Sequence, residues 1–278
     1  MNLKIGWQLT MGFVTDAAGA VDTISRWLKA KLDETGRDEY VLGLSGGIDS
    51  ALAAYLAVRA VGPERLFCVL MPYKTSSRES LSDSDLVLQA LGVRHRTVEI
   101  SGMAEAFETQ VADLTPLRRG NLCARLRMIT LFDQSHARGL VLGTSNKTET
   151  LLGYGTLFGD AAWSLNPLGD LYKTDVRLLS RYLGVPQAIQ DKIPTADLWH
   201  GQTDEGELGF SYEEIDRLLV KLVDEKQSRR EILAAGVKPE FLERVVTLIR
   251  GSAFKRAAAP IAWLNAPYSA RHVEDPSW

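Results

Sequence analysis

The stretch Ser45-Gly46-Gly47-Ile48-Asp49-Ser50 sets two hydroxyls, two glycines and one carboxylate between an apolar run and an amphipathic run. A Gly-Gly turn lets backbone N–H groups approach an anion closely, and the N-terminus of the helix after it adds partial positive charge. Ser45 and Ser50 add hydroxyl donors, so the hexapeptide suits a phosphate. A phosphate loop of the kinase kind ends in Gly-Lys-Ser/Thr, yet no lysine stands here. Asp49 is compatible with a phosphate only if a cation lies between them, and Mg²⁺ is a hard ion that carboxylate and phosphate oxygens can share. The same residues also allow a plain strand-to-helix turn in which Asp49 is an N-cap.

The elements around the hexapeptide are those a phosphate loop needs. Apolar residues 40–44 read as a buried strand, and "SALAAYLAVRA" after the loop reads as a helix. Strands follow at 65–71, 94–100 and 139–144, with helices at 79–91 and 118–137 between them. Ahead of the first strand, Asp16 can cap a helix to about Leu32, with Val21, Ile24, Trp27 and Leu28 on one face. This alternation predicts an α/β fold: a doubly wound, Rossmann-like parallel sheet with helices on both faces. Ligands of such sheets bind beyond the carboxyl ends of the strands, so loops 45–50, 72–78 and 144–149 should meet at one rim.

Beyond residue 150 the pattern changes. Residues 151–174 carry Gly and Pro without a long period and read as an ordered substrate loop or a lid. Helical patterns resume at 175–184, at 212–225 and in two shorter stretches to about Ile249, as helices added to the same core. The expectation is a single domain over 1–278, with an irregular tail at about 265–278.

A chain of 278 residues can bury a large core without staples, and 45% hydrophobic with 24% charged residues is ordinary globular composition. The formal net charge of -3 speaks against a nucleic-acid partner. Two distant cysteines, Cys68 and Cys123, fit core packing in a reducing compartment, and there is no zinc spacing. Polar Gln8, Thr10 and Asp16 break the apolar N-terminus, so it does not read as a signal peptide, and no run suits a membrane span. A cytoplasmic protein is expected. His95, His136 and His272 have no partner at ligand spacing and read as surface residues, whereas His200 sits in a loop that could approach substrate.

SGGIDS resembles the pyrophosphate loop of the N-type ATP pyrophosphatases, which hold the departing pyrophosphate rather than a transferred phosphate. That resemblance accounts for the absent lysine. Further segments, "RRGNLCARLRMITLF", "LVLGTSNKTETLLGYGTLFGD", "NPLGDLYKTDVRLL", "PTADLWHGQTDEGELGFSYEEID" and "FKRAAAP", are similar to ammonia-dependent NAD synthetase in family order, from about residue 20 to 260. The resemblance implies adenylation of the carboxylate of deamido-NAD (nicotinic acid adenine dinucleotide) by ATP, then attack by ammonia to give NAD, AMP and pyrophosphate. The chain has no stretch matching the amidase domain of glutamine-using relatives, which implies free ammonia or ammonia from another protein.

Carried over by residue, the resemblance implies that Gly43, Leu44, Ser45, Gly46, Gly47, Ile48, Asp49 and Ser50 hold ATP, with Thr144, Lys173 and Thr195. It assigns Asp49 and Glu149 to Mg²⁺, catalytic roles to Asp49 and Lys173, and deamido-NAD contacts to Arg125, Leu157, Ser164 and Lys255. It also implies a homodimer with the dinucleotide bound across the interface. The long helices at 16–32 and 118–137 could serve that interface or face the monomer core. Without the resemblance, Glu149 reads as a helix-start carboxylate, and Lys173 and Arg125 as solvated charges. Three positions depart from the commonest family pattern: Leu157 for Lys, Ser164 for Asp and Phe254 for His. The first two usually touch deamido-NAD, whereas Asp160 and Asp170 are retained. Two rival readings stand beside this one: another adenylating pyrophosphatase, of the tRNA-modifying or amidotransferase kind, and a nucleotide sensor that no longer turns over. The Asp49–Glu149 pair argues against the sensor.

Overall fold

A computed structural model describes residues 14–111, 113–136, 138–193, 206, 209–260 and 262. Among them, the first half of the chain alternates helix and strand: α1 (Ala17–Thr35), β1 (Glu39–Gly43), α2 (Ile48–Val61), β2 (Leu66–Leu70), α3 (Arg78–Leu91), β3 (Arg94–Thr97), α4 (Ser101–Glu108), α5 (Pro116–Gln134) and β4 (Gly139–Leu142). The second half is helical: α6 (Lys147–Leu152), α7 (Lys173–Leu183), α8 (Gln187–Asp191), α9 (Tyr212–Leu219), α10 (Arg229–Ala234) and α11 (Pro239–Gly251).

The four strands form one parallel sheet in the order β3-β2-β1-β4. Side chains alternate across a strand, and β1 uses both faces. Tyr40 and Leu42 point into a cluster with Leu52, Leu56 and Val176, which covers one face with α1, α2 and α7. On the opposite parity, Gly43 lies against Leu131 of α5. Helices therefore cover both faces, as expected for the near-continuous burial of β1.

Local signals account for the helix ends. Asp16 caps α1 by accepting from the Gly19 N–H, and Gly36 closes it at φ +62°. Thr115 caps α5, with Pro116 in its first turn. The region expected to be a loop at 144–149 instead contains the start of α6. Asn146 and Glu149 cap each other reciprocally there, a box that stabilises one short helix. β3 is shorter than the expected 94–100, and all four of its residues are exposed at the sheet edge.

Residues 151–174 run from the end of α6 through a series of turns to the start of α7. Within them, Ser164 and Leu165 run beside β4: the Ser164 N–H donates to the Val141 carbonyl, and Leu142 bridges Leu165 in parallel. The later helices gather on a second cluster around Tyr172, Tyr212, Ile215 and Leu242, which reaches the sheet body through α7. Both cysteines are buried and free, and burial pushes the Cys68 thiol up to about 12. His95 and His136 are exposed, whereas His200, His272 and the expected tail lie outside the described residues. No described helix is long and apolar enough to cross a membrane.

Candidate active site

The strand order reverses between β1 and β4: the chain moves outward through β2 and β3, then returns to the other side of β1. Loops leaving the carboxyl ends of β1 and β4 must diverge there, which opens a crevice. The SGGIDS loop leaves β1 at this point. Gly46 turns it at φ +76°, and a Cβ built on Gly46 would stand 2.3 Å from the Ser80 carbonyl, so this position admits only glycine. The two serines brace the turn: their hydroxyls lie 3.0 Å apart, the Ser45 N–H donates to Ser50 Oγ, and Ser50 Oγ donates to the Gly47 carbonyl. Gly47, not Asp49, is the N-cap of α2, and no side chain caps it. The N-cap alternative for Asp49 is thereby corrected: with no side chain at N-cap to compete, the first-turn N–H groups face an incoming anion.

Asp49 instead sits in the first turn of α2 and points across the crevice. Asn146 Nδ2 donates to its Oδ1 at 2.9 Å, and Lys173 Nζ donates to its Oδ2 at 2.5 Å. Lys173 also reaches Glu149 Oε1 at 3.1 Å. Residues from α2, α6 and α7 thus meet at one ammonium. Lys173 is 2% exposed, far from a solvated surface charge, and lies 5.1 Å from the centre of the Tyr212 ring. An ammonium is buried at such cost only when carboxylates surround it.

The starts of α6 and α7 are tied together beneath this group. The Lys147 N–H donates to the Leu171 carbonyl, and the Lys173 N–H donates to Thr148 Oγ1 at 3.0 Å. Asp216 of α9 accepts from Thr148 Oγ1 at 2.5 Å and from the Thr174 N–H at 2.9 Å. Burial of Asp216 outweighs these hydrogen bonds and raises its carboxyl to about 6. After α9 a single π turn, Val220–Asp224, brings in the Asp224 carboxylate, which accepts from Lys147 Nζ at 2.8 Å and Tyr172 Oη at 2.5 Å. Burial alone would raise Asp224, but these two donors hold it below its ordinary range.

A cavity of about 610 Å³ fills the crevice, a size suited to a nucleotide. Of the residues expected to hold ATP, all except Gly46 and Thr195 line it, Thr144 and Lys173 included. Thr195 lies outside the described residues. Of the four residues expected at deamido-NAD, Lys255 lines the cavity, where its ammonium donates to the carbonyls of Gly153 and Gly155 at 2.8 and 2.7 Å. The other three stand outside its wall. Arg125 Nη2 donates to the Leu157 carbonyl, so that pair sits together, while Ser164 Oγ accepts from the Val141 N–H of the sheet edge. Retained Asp160 lines the cavity and accepts from the Thr156 N–H, whereas Asp170 is exposed and pairs with Lys147.

Sequence reasoning did not single out Asn146, Asp216 or Lys192. For Asn146 a signal existed, since Asn three residues before Glu is a capping-box pattern. For Asp216 and Lys192 none did: each acts on residues far away in the chain.

Two hard carboxylates facing a phosphate loop fit Mg²⁺, which takes one or two protein carboxylates and completes its shell with water and substrate phosphates. No cluster of three or more His, Cys, Asp or Glu suited to a metal occurs among the described residues, so a self-contained protein cage is not what this site offers.

A lysine-free phosphate loop at the switch point of a parallel sheet, facing two carboxylates and a buried lysine, defines an α/β nucleotide-handling protein of the ATP-pyrophosphatase type. The chain belongs to the NAD synthase family, whose model matches residues 20–259. It is 51% identical over 263 residues to an NH(3)-dependent NAD(+) synthetase of Trichlorobacter lovleyi, covering 94% of this chain and 91% of that one. Among solved structures, the NMN synthetase of Francisella tularensis is similar at a TM-score of 0.80 and 35% identity, over 90% of this chain and 99% of the other. The NH3-dependent NAD synthetase of Campylobacter jejuni is similar at 0.77 and 32%, over 90% and 100% of the two chains.

Proposed function

We propose that this protein amidates deamido-NAD with ammonia at the expense of ATP. The observation that supports it best is the convergence of Asp49, Glu149 and Lys173 at the mouth of the SGGIDS loop. The carboxylate of deamido-NAD attacks the α-phosphorus of ATP, forming an acyl-adenylate and releasing pyrophosphate. Ammonia then attacks the acyl carbon, a proton leaves the nitrogen, and AMP departs with the bonding pair. A carboxylate is inert to ammonia, so adenylation is what makes the second step possible.

The chain's part is placement and charge neutralisation rather than covalent chemistry. Residues 43–50 cradle the β- and γ-phosphates with backbone N–H groups and serine hydroxyls. Lys173 offers its ammonium to charge developing on the leaving pyrophosphate. Thr144 and Thr195 are assigned to ATP as well. Asp49 and Glu149 would hold Mg²⁺, which when bound draws charge from the phosphate oxygens. Lys255 sets the Gly153–Gly155 segment against the dinucleotide, with Arg125, Leu157 and Ser164 further out. We read 1–278 as one synthetase unit in the cytoplasm. It would form a homodimer through the exposed Leu117, Ile129 and Phe132 of α5; α1, the other candidate, turns Val21, Leu28 and Leu32 into its own core.

Purified protein with ATP, Mg²⁺, ammonium and deamido-NAD should yield NAD and AMP in equal amounts. ATP binding without either product would abandon this reading in favour of a sensor. A second reading, amidation of nicotinic acid mononucleotide, is favoured by the likeness to an NMN synthetase. The same assay with the mononucleotide as acceptor separates the two by their kcat/KM values.

A further inference from the structure

We propose that Lys192 is a phosphate contact for ATP, supplying from beside the SGGIDS loop the ammonium that the loop lacks. The proposal rests on the ATP-using reading above and deepens it. Lys192 follows α8 and lines the same cavity as Ser45, Gly47 and Ser50. Its Nζ donates to Asp83 Oδ2 at 2.6 Å and to Ser80 Oγ at 3.1 Å, both on α3. Ser80 is also the residue whose carbonyl backs Gly46. One serine therefore touches the turn of the phosphate loop with its backbone and Lys192 with its side chain, which places the ammonium beside the loop.

Among the described residues, four cationic side chains stand in the cavity wall, and their partners differ. Lys173 is held between two carboxylates, while Arg127 and Lys255 donate to backbone carbonyls at Met71, Gly153 and Gly155. Lys192 is held by a single carboxylate, at the edge of a space that a triphosphate would fill. A lysine carries its charge on a flexible four-carbon stem with three donors, so Nζ can turn from Asp83 to a phosphate oxygen while keeping Ser80. A polyphosphate presents more charge than one carboxylate, which favours the exchange once ATP enters.

If Lys192 only clamps α3 to the end of α8, removing either partner of the Lys192–Asp83 pair weakens ATP binding alike. If Lys192 is a phosphate contact, the partners behave oppositely. Calorimetric titration with ATP and Mg²⁺, and separately with pyrophosphate, reads this without requiring turnover. Lys192→Met should weaken both ligands by on the order of tenfold or more, the scale of one charge-assisted hydrogen bond. Asp83→Asn should leave both affinities unchanged or tighter. Equal losses in the two variants, or undiminished affinity in Lys192→Met, would overturn the proposal. Should Lys192→Met not fold, Asp83→Asn decides alone, since a clamp requires it to lose affinity. If the unsubstituted protein fails to bind ATP, the amidation reading falls, which is a different outcome from a failure confined to Lys192.

Discussion

The ammonium of Lys173 lies 2.5 Å from Asp49 Oδ2 and 3.1 Å from Glu149 Oε1, joining the first turns of three helices in one ion triad. The carboxylates come from the helices that follow β1 and β4, the two strands between which the sheet order reverses, and the lysine from the start of α7. At the triad, attraction between protein groups and attraction to substrate compete: the groups that hold one another here are those a Mg²⁺–ATP complex would engage.

Lys173→Met should therefore harm both stability and turnover. Leaving two half-buried carboxylates without the buried ammonium between them costs about 1.5–3 kcal/mol, and the melting temperature should fall accordingly. Pyrophosphate release should fall further than the melting point explains. Lys173→Arg should not restore it, because a planar guanidinium cannot replace a compact ammonium between these carboxylates. Restored turnover in the arginine variant would contradict the point-charge role.

Asp49→Asn and Glu149→Gln should each raise the Mg²⁺ concentration needed for half-maximal ATP turnover, since each removes one hard ligand while nearly keeping shape. The readout is a Mg²⁺ titration at saturating ATP. An unchanged midpoint in both variants would remove the pair from the metal.

Asn146 both caps α6 and orients Asp49. Asn146→Ala should cost about 1–2 kcal/mol of stability through the lost cap. Asn146→Asp keeps a capping oxygen but sets a second carboxylate against Asp49, so it should retain more stability than alanine while losing activity. Chemical denaturation with a parallel rate assay separates the two effects, and equal activities in the variants would argue against an orienting role.

Asp216 gives the fold a pH dependence of defined sign. Its carboxyl is raised from an ordinary 3.8 to about 6 by burial. A carboxyl raised in the fold binds its proton more tightly there than in the unfolded chain. Its stabilising contribution is full below about pH 4 and is lost as pH rises through about 6. Across that window the swing is about 3 kcal/mol. Asp216→Asn should flatten this part of the stability profile between pH 4 and 7. A profile unchanged by the substitution would show that Asp216 does not titrate in this window.

Much of this was legible in the chain itself. Burial repeats with a period of two or 3.6 residues, so β1, α2 and the loop between them could be located from local pattern, and the cap at Asp16 is local chemistry too. Glu149 was legible as a helix-start carboxylate and is one, its capping role and its place by Lys173 being compatible. The Asp49 N-cap alternative failed because the turn ends two residues earlier, at Gly47. Ser164, read through the family pattern as a substrate position, turns its hydroxyl to the N–H of Val141, a use that no pattern of spacing discloses.

What the sequence by itself determined is therefore the kind of element at each point and the lysine-free phosphate loop, because steric propensity and local hydrogen bonding act over a few residues. Only the tertiary structure decided which charges share a space. Lys173 and Asp49 are 124 residues apart, Thr148 and Asp216 are 68 apart, and Lys192 and Asp83 are 109 apart. Those meetings depend on the order β3-β2-β1-β4 and on how α7 and α9 pack beside it, and pairing over such distances leaves no periodic mark in the chain.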